Sequence, residues 1–264
     1  MIINPYVFAG PTYDPDAQAY FTANTAITSA ADKNAINTFY LGLKTDGIYT
    51  KIKAMYLPIW GSAASSKWNL INNRSFDLTY GSGMTFNSGG MTSNGTSGYA
   101  NTNFLASTNL ASNSVHLNFY SRTNTDAFTF DIGARNGLVG GNPTLGFVSR
   151  VSNTMYSYAN VNESTGRLLT GNTSSLGLHT MSRNGTTTVT NFRNGSSLGS
   201  GVRTELFILN YNLFISALND TNTPSSYSTR QCSFMSIGDG LSNAEVTNFY
   251  NRVQTLITYF GINV

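Results

Sequence analysis

The sequence predicts a mainly β protein, a two-sheet antiparallel jelly-roll sandwich with a helical N-terminal segment and a C-terminal helix. Three observations carry this. Short apolar-polar alternating runs recur at hairpin spacing, two amphipathic helical patterns flank them, and the composition is that of a turn-rich β chain. Charged residues are only 10% of the chain, against roughly 25% in an average domain, and glycine is abundant. Aromatic residues at 12% and hydrophobic residues at 40% run the whole length, which argues against disorder.

The N-terminal segment, residues 1–47, reads as helical. Asn4-Pro5, Gly10-Pro11 and Asp14-Pro15 break regular structure, and 15–23 follows as a short helix with Pro15 in its first turn. A longer helix over 29–45 has Ser29 as its cap, Ile36, Phe39, Tyr40 and Leu43 as its stripe, and Asp46-Gly47 as its stop. This segment either packs on the β body or docks it to a larger assembly. Every lysine lies at or before Lys67, a composition shift between this end and the rest.

The remainder, 48–264, reads as the sandwich with its closing helix. Ile48 to Ile59 is β-capable, a polar turn stands at 72–74, Ser75 to Thr79 is another strand, and glycines punctuate 81–98 as a loop-rich region. In 114–122 Val115, Leu117 and Phe119 alternate with polar residues, and in 127–133 Phe128, Phe130 and Ile132 do the same. Joined by the turn at 123–126, the two runs form an expected hairpin. Matching their apolar faces sets Phe119 by Phe130 and Leu117 by Ile132, leaving Asn118, Tyr120, His116 and Asp131 on the other face with Arg122 at its rim. That face is either a solvated sheet surface or a glycan-contact site. Sugar recognition needs a planar apolar surface and fixed hydrogen-bonding groups, and these side chains supply both.

Asn184-Gly185 and Asn194-Gly195 read as hairpin turns around TTTVTNFR. Strands at 205–210 and 213–217, a loop at 218–230 and a strand at 231–237 follow. The Gly238-Asp239-Gly240 reversal then leads to a helix over 242–260, opened by a Ser242/Glu245 capping box and striped by Val246, Phe249, Tyr250, Val253, Leu256, Ile257 and Phe260. Ten or more short strands in one unit favour two packed sheets, since a single open sheet exposes long edges.

Catalytic and metal chemistry find no local motif. Glu163 and Glu205 stand alone, Asp14 and Asp16 sit in a helix-cap context, and no pair of carboxylates shares a strand face at glycosidase spacing. His116 and His179 lack ligand partners at metal spacing, no G-x-S-x-G elbow occurs, and Asp239 reads as a turn residue. The expectation is a non-enzymatic protein with no cofactor and no metal. The formal charge of +3 is scattered singly, so nucleic acid is not an expected partner. Membrane insertion is not expected either, since no run approaches the roughly 20 apolar residues of a span. The N-terminus has no secretory pattern, the single Cys232 excludes an internal disulfide, and folding in a reducing cytosol is the simplest expectation; the Asn-x-Ser/Thr sequons are then chance.

Five stretches carry a family resemblance: DPDAQAYFTANTAITSAADKNAINTFYLGLKTDGIYTKIKAMYLPIWG at 14–61, NGTSGYANTNF at 94–104, NSVHLNFYSRTN at 113–124, FRNGSSLG at 192–199, and RQCSFMSIGDGLSNAEVTNFYNRVQT at 230–255. Together they resemble the laminin G-like, concanavalin A-like jelly-roll domains of bacteriophage tail and other virion structural proteins. The resemblance implies a virion component of tail, fibre or head decoration, folded in the host cytoplasm, with other virion proteins and copies of itself as partners. It does not imply catalysis, since the E-x-D-x-x-E strand of hydrolytic relatives is missing here. The alternative function is a glycan-binding module for host-surface attachment.

Overall fold

The structure, a computed structural model, describes residues 12–71, 75–185 and 187–264. The prolines at 5 and 11 and the polar turn at 72–74 lie outside them. Helix α1 (Pro15–Ala23) begins where Asp14 Oδ1 accepts from the Asp16 amide at 3.0 Å and Pro15 fills the first turn, where a missing N–H costs nothing. Helix α2 (Ala30–Thr45) begins at Ser29, whose hydroxyl accepts from the Asp32 amide at 3.3 Å, and it buries Ile36, Phe39, Tyr40 and Leu43. Lys44 ties the end of α2 to the start of α1, at 2.7 Å from Asp14 and 2.6 Å from Asp16.

A 3-10 turn at Tyr49–Lys51 precedes β1 (Ile52–Tyr56), so the β-capable run at 48–59 becomes a turn and a five-residue strand. Next come α3 (Ala63–Ser66), β2 (Thr79–Tyr80), β3 (Met84–Asn87), β4 (Gly90–Ser93), β5 (Ala100–Leu105) and α4 (Ala106–Asn109). The central strands are β6 (Ser114–Ser121), β7 (Ile132–Arg135), β8 (Pro143–Val151), β9 (Thr154–Asn162) and β10 (Leu168–Gly171). Then β11 (Gly177–Asn184), β12 (Thr188–Arg193) and β13 (Ser196–Val202) form a meander. The chain closes through β14 (Asn212–Ile215), β15 (Leu218–Asp220), β16 (Thr223–Ser225), β17 (Cys232–Gly238) and helix α5 (Asn243–Tyr259).

Among the described residues these strands make two sheets. Sheet A runs β13-β12-β11-β6-β17-β4-β3 with β1 also on β17; sheet B runs β10-β9-β8-β7-β14-β5-β2 with β15 also on β7 and β16 on β15. The pairings are antiparallel apart from β7 with β15. The Asn194-Gly195 turn has φ of +50° and +75°, the left-handed pair that a two-residue hairpin loop needs, and it closes the Arg193–Ser196 pairing.

Period-two alternation sorts the side chains. Val115, Leu117, Phe119, Met181, Met235 and Ile237 of sheet A face Ile132, Ala134, Leu145, Phe147, Met155 and Ala159 of sheet B across the core. The opposite face of sheet A is also apolar. There Tyr120, Leu178, Phe192 and Phe234 meet Phe39, Tyr40 and Leu43 of α2 and Val246, Phe249, Val253 and Ile257 of α5. The result is three layers: helices, sheet A, sheet B. Both halves of the expected capping box form in α5, with the Glu245 amide donating to Ser242 Oγ at 3.3 Å and the Ser242 amide to Glu245 Oε2 at 2.8 Å.

Five expectations are corrected. The runs 114–122 and 127–133 are not a hairpin: β6 pairs with β11 and β17 in sheet A, whereas β7 starts at Ile132 and belongs to sheet B. Alternation names the buried face of each strand but not its partner, and the chain between them crosses from one sheet to the other. Residues 205–210 form no strand and are held by isolated bonds such as Phe207 N–H to Asn160 O at 2.9 Å. The expected strand 75–79 shrinks to Thr79–Tyr80, the loop-rich 81–98 contains the β3–β4 hairpin, and the expected loop 218–230 contains the β15–β16 hairpin, whose two strands are each only three residues long.

Phe249 packs edge-on to Phe234 at 5.9 Å and lies 6.2 Å from the His116 ring. We expect Phe249→Ala to destabilise the fold by about 3–5 kcal/mol in urea titrations, the range for a large buried aromatic. A cost under about 1 kcal/mol would mean that α5 does not seal sheet A.

Candidate functional site

His116, Asn118 and Tyr120 do share the outward face of β6, but all three are fully buried because α5 and α2 lie across it. His116 Nδ1 meets Asp239 O at 2.6 Å and its Nε2 meets Ser236 Oγ at 3.1 Å. Asn118 Nδ2 donates to Ser236 Oγ at 2.8 Å while its Oδ1 accepts from Thr180 Oγ1. The Tyr120 hydroxyl accepts from the Val264 amide at 3.1 Å. Arg122, half-buried, donates from Nε to Ile262 O at 2.9 Å and from Nη1 to Gln231 Oε1 at 2.8 Å, holding the C-terminal tail. These groups bind protein, so the expectation of one exposed polar face is corrected.

Asp131 is elsewhere. It forms a fully buried ion pair with Arg230 at 3.0 Å, and its two oxygens also accept from Ser228 Oγ at 3.0 Å and the Ser149 amide at 2.7 Å. The Arg230 guanidinium is caged by the carbonyls of Thr125, Ala127, Thr129 and Arg150 at 2.6–3.2 Å.

The outer face of sheet B differs from that of sheet A. It carries a small cluster of buried apolar residues, Phe130, Val148, Tyr158, Val161 and Leu218, flanked by the half-buried Tyr156 and Val151, and no helix contributes to it among the described residues. The local sequence explains the shape. Gly133 and Gly146 are register partners, and a Cβ on Gly133 would lie 2.8 Å from the Phe130 ring, one on Gly146 2.5 Å from Ile132 O. The paired glycines leave a bare floor on which Phe130 lies, stacked on Tyr158 at 5.5 Å. Phe128 stands edge-on to Tyr156 at 5.7 Å and is 45% exposed, and Leu169, the register partner of Tyr156, is equally exposed.

Polar groups frame this shelf. At one end Arg135 holds Glu163 at 2.9–3.0 Å and pairs with Asp220, while Asn142 donates to Glu163 at 3.2 Å. Hydrogen bonding to Arg135 keeps Asp220 below the usual carboxylate range, and Asp220 in turn keeps Arg135 charged. At the other end Arg150 donates to Asn124 and Asn153, each at 2.8 Å, and lies 3.4 Å from Asp126. The Arg167 guanidinium sits over the Tyr156 ring, 5.4 Å from its centroid. Burial pushes the Tyr158 hydroxyl up to about 12, with the Glu163 charge adding to the shift and Arg167 opposing it.

Other features carry less chemistry. A cleft of about 210 Å³ between α2 and α5 is lined by Phe39, Leu256 and Tyr259, and its arginine, Arg252, is already held by Asp46 at 2.8 Å. No grouping of three or more His, Cys, Asp or Glu that would hold a metal occurs among the described residues. Cys232 is buried, and burial raises its thiol pKa well above the ordinary value.

No protein-family model matches the chain, and no curated protein matches it. Solved structures do. Domain 4 of AbnA, an extracellular arabinanase from Geobacillus stearothermophilus, has a TM-score of 0.52 at 15% identity over 75% of this chain and 98% of its own. The binding domain of botulinum neurotoxin DC has a TM-score of 0.55 at 11% identity over 78% of this chain and 52% of its own. Trypanosoma rangeli sialidase gives 0.53 at 10% identity over 83% of this chain and 39% of its own. These likenesses are of fold. They agree with the lectin-like sandwich that the resemblance implied, and they give no support to its bacteriophage label. The chain spans about half or less of the toxin domain and sialidase chains.

The shelf was missed in the sequence, although MYSYAN at 155–160 displays it. Met155, Ser157 and Ala159 point inward and Tyr156 and Tyr158 outward, so two aromatics share one outer face.

Two predictions follow from the buried polar groups. Burial pushes His116 and His179 down from the ordinary 6.5 to about 4, so each stays neutral in the folded state while the unfolded chain takes up a proton. Stability is therefore lost as pH falls from about 6.5 towards 4, by roughly 3 kcal/mol per histidine across that window. Urea midpoints measured through this range should fall, and His116→Asn with His179→Asn should flatten the profile above pH 4.5. The second concerns Asp131→Ala, which strands the Arg230 charge in the interior and should cost about 3–5 kcal/mol. Asp131→Asn, which retains an acceptor, should cost less in the same titration.

Proposed function

We propose that this chain is a glycan-binding module whose contact surface is the outer face of sheet B around Tyr156 and Phe128. The observation that carries it is the aromatic shelf on a helix-free sheet face, with fixed donors and acceptors at both ends. Sugar rings present a C–H face that stacks on an aromatic ring and hydroxyls that need placed polar partners. Arg135, Glu163, Asn142, Asp220, Arg150 and Asn153 are such partners, each held by neighbours before any ligand arrives. The structural likenesses support the reading: the arabinanase domain was solved with arabinotriose and the toxin domain with SialylT.

The module is non-enzymatic on this reading. Hydrolysis needs one carboxyl group protonated near neutrality, and Asp220 is held ionised by Arg135. A virion setting, with attachment to a host surface as its purpose, extends the proposal on the five resembling sequence stretches alone. Its absence from purified particles by mass spectrometry would remove that setting and leave the binding reading.

A glycan array tests the binding. Wild-type protein should retain at least one glycan class, and Tyr156→Ala or Phe128→Ala should weaken it by about tenfold or more, equivalent to about 1.4 kcal/mol. Binding that survives both substitutions, in proteins with unchanged circular dichroism, would move the site off this face.

A further inference from the structure

We infer that the ligand of this shelf is an acidic glycan, one carrying a carboxylate or sulfate group, and that Arg167 is the residue that holds the anion. The inference rests on the glycan-binding reading above and deepens it. Three arginines stand around the outer face of sheet B, and they are not equivalent. Arg135 is neutralised by Glu163 and Asp220, and Arg150 is paired with Asp126 and fixed by two asparagines. Arg167 has no carboxylate within ion-pair distance among the described residues. Glu163, four residues away, is already taken by Arg135 and Asn142.

Arg167 is nevertheless placed. Its backbone carbonyl accepts from Arg203 Nε at 3.2 Å and Nη2 at 2.7 Å, which pins the start of β10. Its guanidinium is drawn to the Tyr156 face by the ring quadrupole. A half-buried cation without a counter-charge is partly desolvated, and an incoming anion restores what it has lost. The guanidinium presents a planar fork of N–H donors that matches a carboxylate or sulfate by paired charge-assisted hydrogen bonds, which a lysine does not do.

The register gives the pose. Leu169 opposes Tyr156 on the neighbouring strand, so Arg167, two residues before Leu169 on the same face, falls beside Tyr158. A sugar ring laid against the exposed Phe128 and Leu169 brings a ring substituent to the Arg167 guanidinium over Tyr156. Neutral sugars use the stacking surface but leave the cation unpaired. The acidic member of an otherwise identical pair therefore binds better.

The test is an array of acidic glycans, each printed beside its neutral counterpart: uronic acid beside methyl ester, sulfated beside desulfated, and terminal acidic sugar present or removed. Wild type should favour the acidic member by tenfold or more, with the advantage shrinking as salt rises. Arg167→Gln should abolish the preference while keeping binding to neutral members, and Arg167→Lys should recover only part of it. The ester and sulfate pairs show which anion is preferred. Equal binding of both members, or a preference unchanged in Arg167→Gln, overturns the anion assignment and leaves the glycan-binding reading intact. Tyr156→Ala losing neither class overturns the shelf itself, and no binding anywhere on the array overturns both.

Discussion

Sheet A carries buried apolar side chains on both faces, those on the helix side interspersed with His116, Asn118 and Thr180, and the rest of the molecule follows from that constraint. One face closes against sheet B; the other, with Tyr120, Leu178, Phe192 and Phe234, would be a large exposed apolar patch if nothing lay on it. Helices drawn from both ends of the chain supply the cover. Ion pairs at the rim of this layer, Arg252 with Asp46, Lys51 with Glu245 and Lys53 with Asp239, join α5 and its entry turn to the N-terminal half. They are partly exposed, so their contribution is in orientation more than in stability. With the helices on sheet A, none contributes to the apolar cluster on the outer face of sheet B among the described residues.

The buried Arg230–Asp131 pair solves a different problem. Between β6 and β7 the chain must pass from one sheet to the other, and it does so without a regular ladder to satisfy its carbonyls. Arg230 provides the donors instead, reaching the carbonyls of Thr125, Ala127 and Thr129 and of Arg150 on β8. Asp131 balances the charge and takes the Ser149 amide. A buried ion pair adds little net stability over an apolar filling. Here it fixes one crossover path, and that path delivers Phe128 and Phe130 to the outer face of sheet B.

Local chemistry in the sequence accounts for much of this. Helix starts were legible because a cap is written within three residues, as Ser29 with Asp32 and Ser242 with Glu245. The Asn194-Gly195 turn and the inward set Val115, Leu117 and Phe119 were legible for the same reason. The exposure of the other face of β6 was not. His116, Asn118 and Tyr120 are covered by groups 118–144 residues further along, and an alternating strand reads the same whether water or a helix lies on its polar side. The β6–β7 pairing failed likewise, since Phe119 and Phe130 both alternate correctly within strands that belong to different sheets.

The shelf depends on a property that single residues do not display, the cross-strand pairing of Gly133 with Gly146. Each glycine alone reads as a weak point in a strand. Paired, they open a recess that Phe130 fills and Tyr158 stacks on, so a fully buried aromatic pair backs the exposed Phe128 and is immobilised by packing. A support already ordered limits the side-chain entropy that the exposed residues packed on it can lose on binding, which matters for ligands whose individual contacts are weak. The cation at Arg167 lies over Tyr156, the ring against which the exposed Phe128 also stands. Stacking and charge recognition therefore share one support, and disturbing Tyr156 should affect both while disturbing Arg167 affects one.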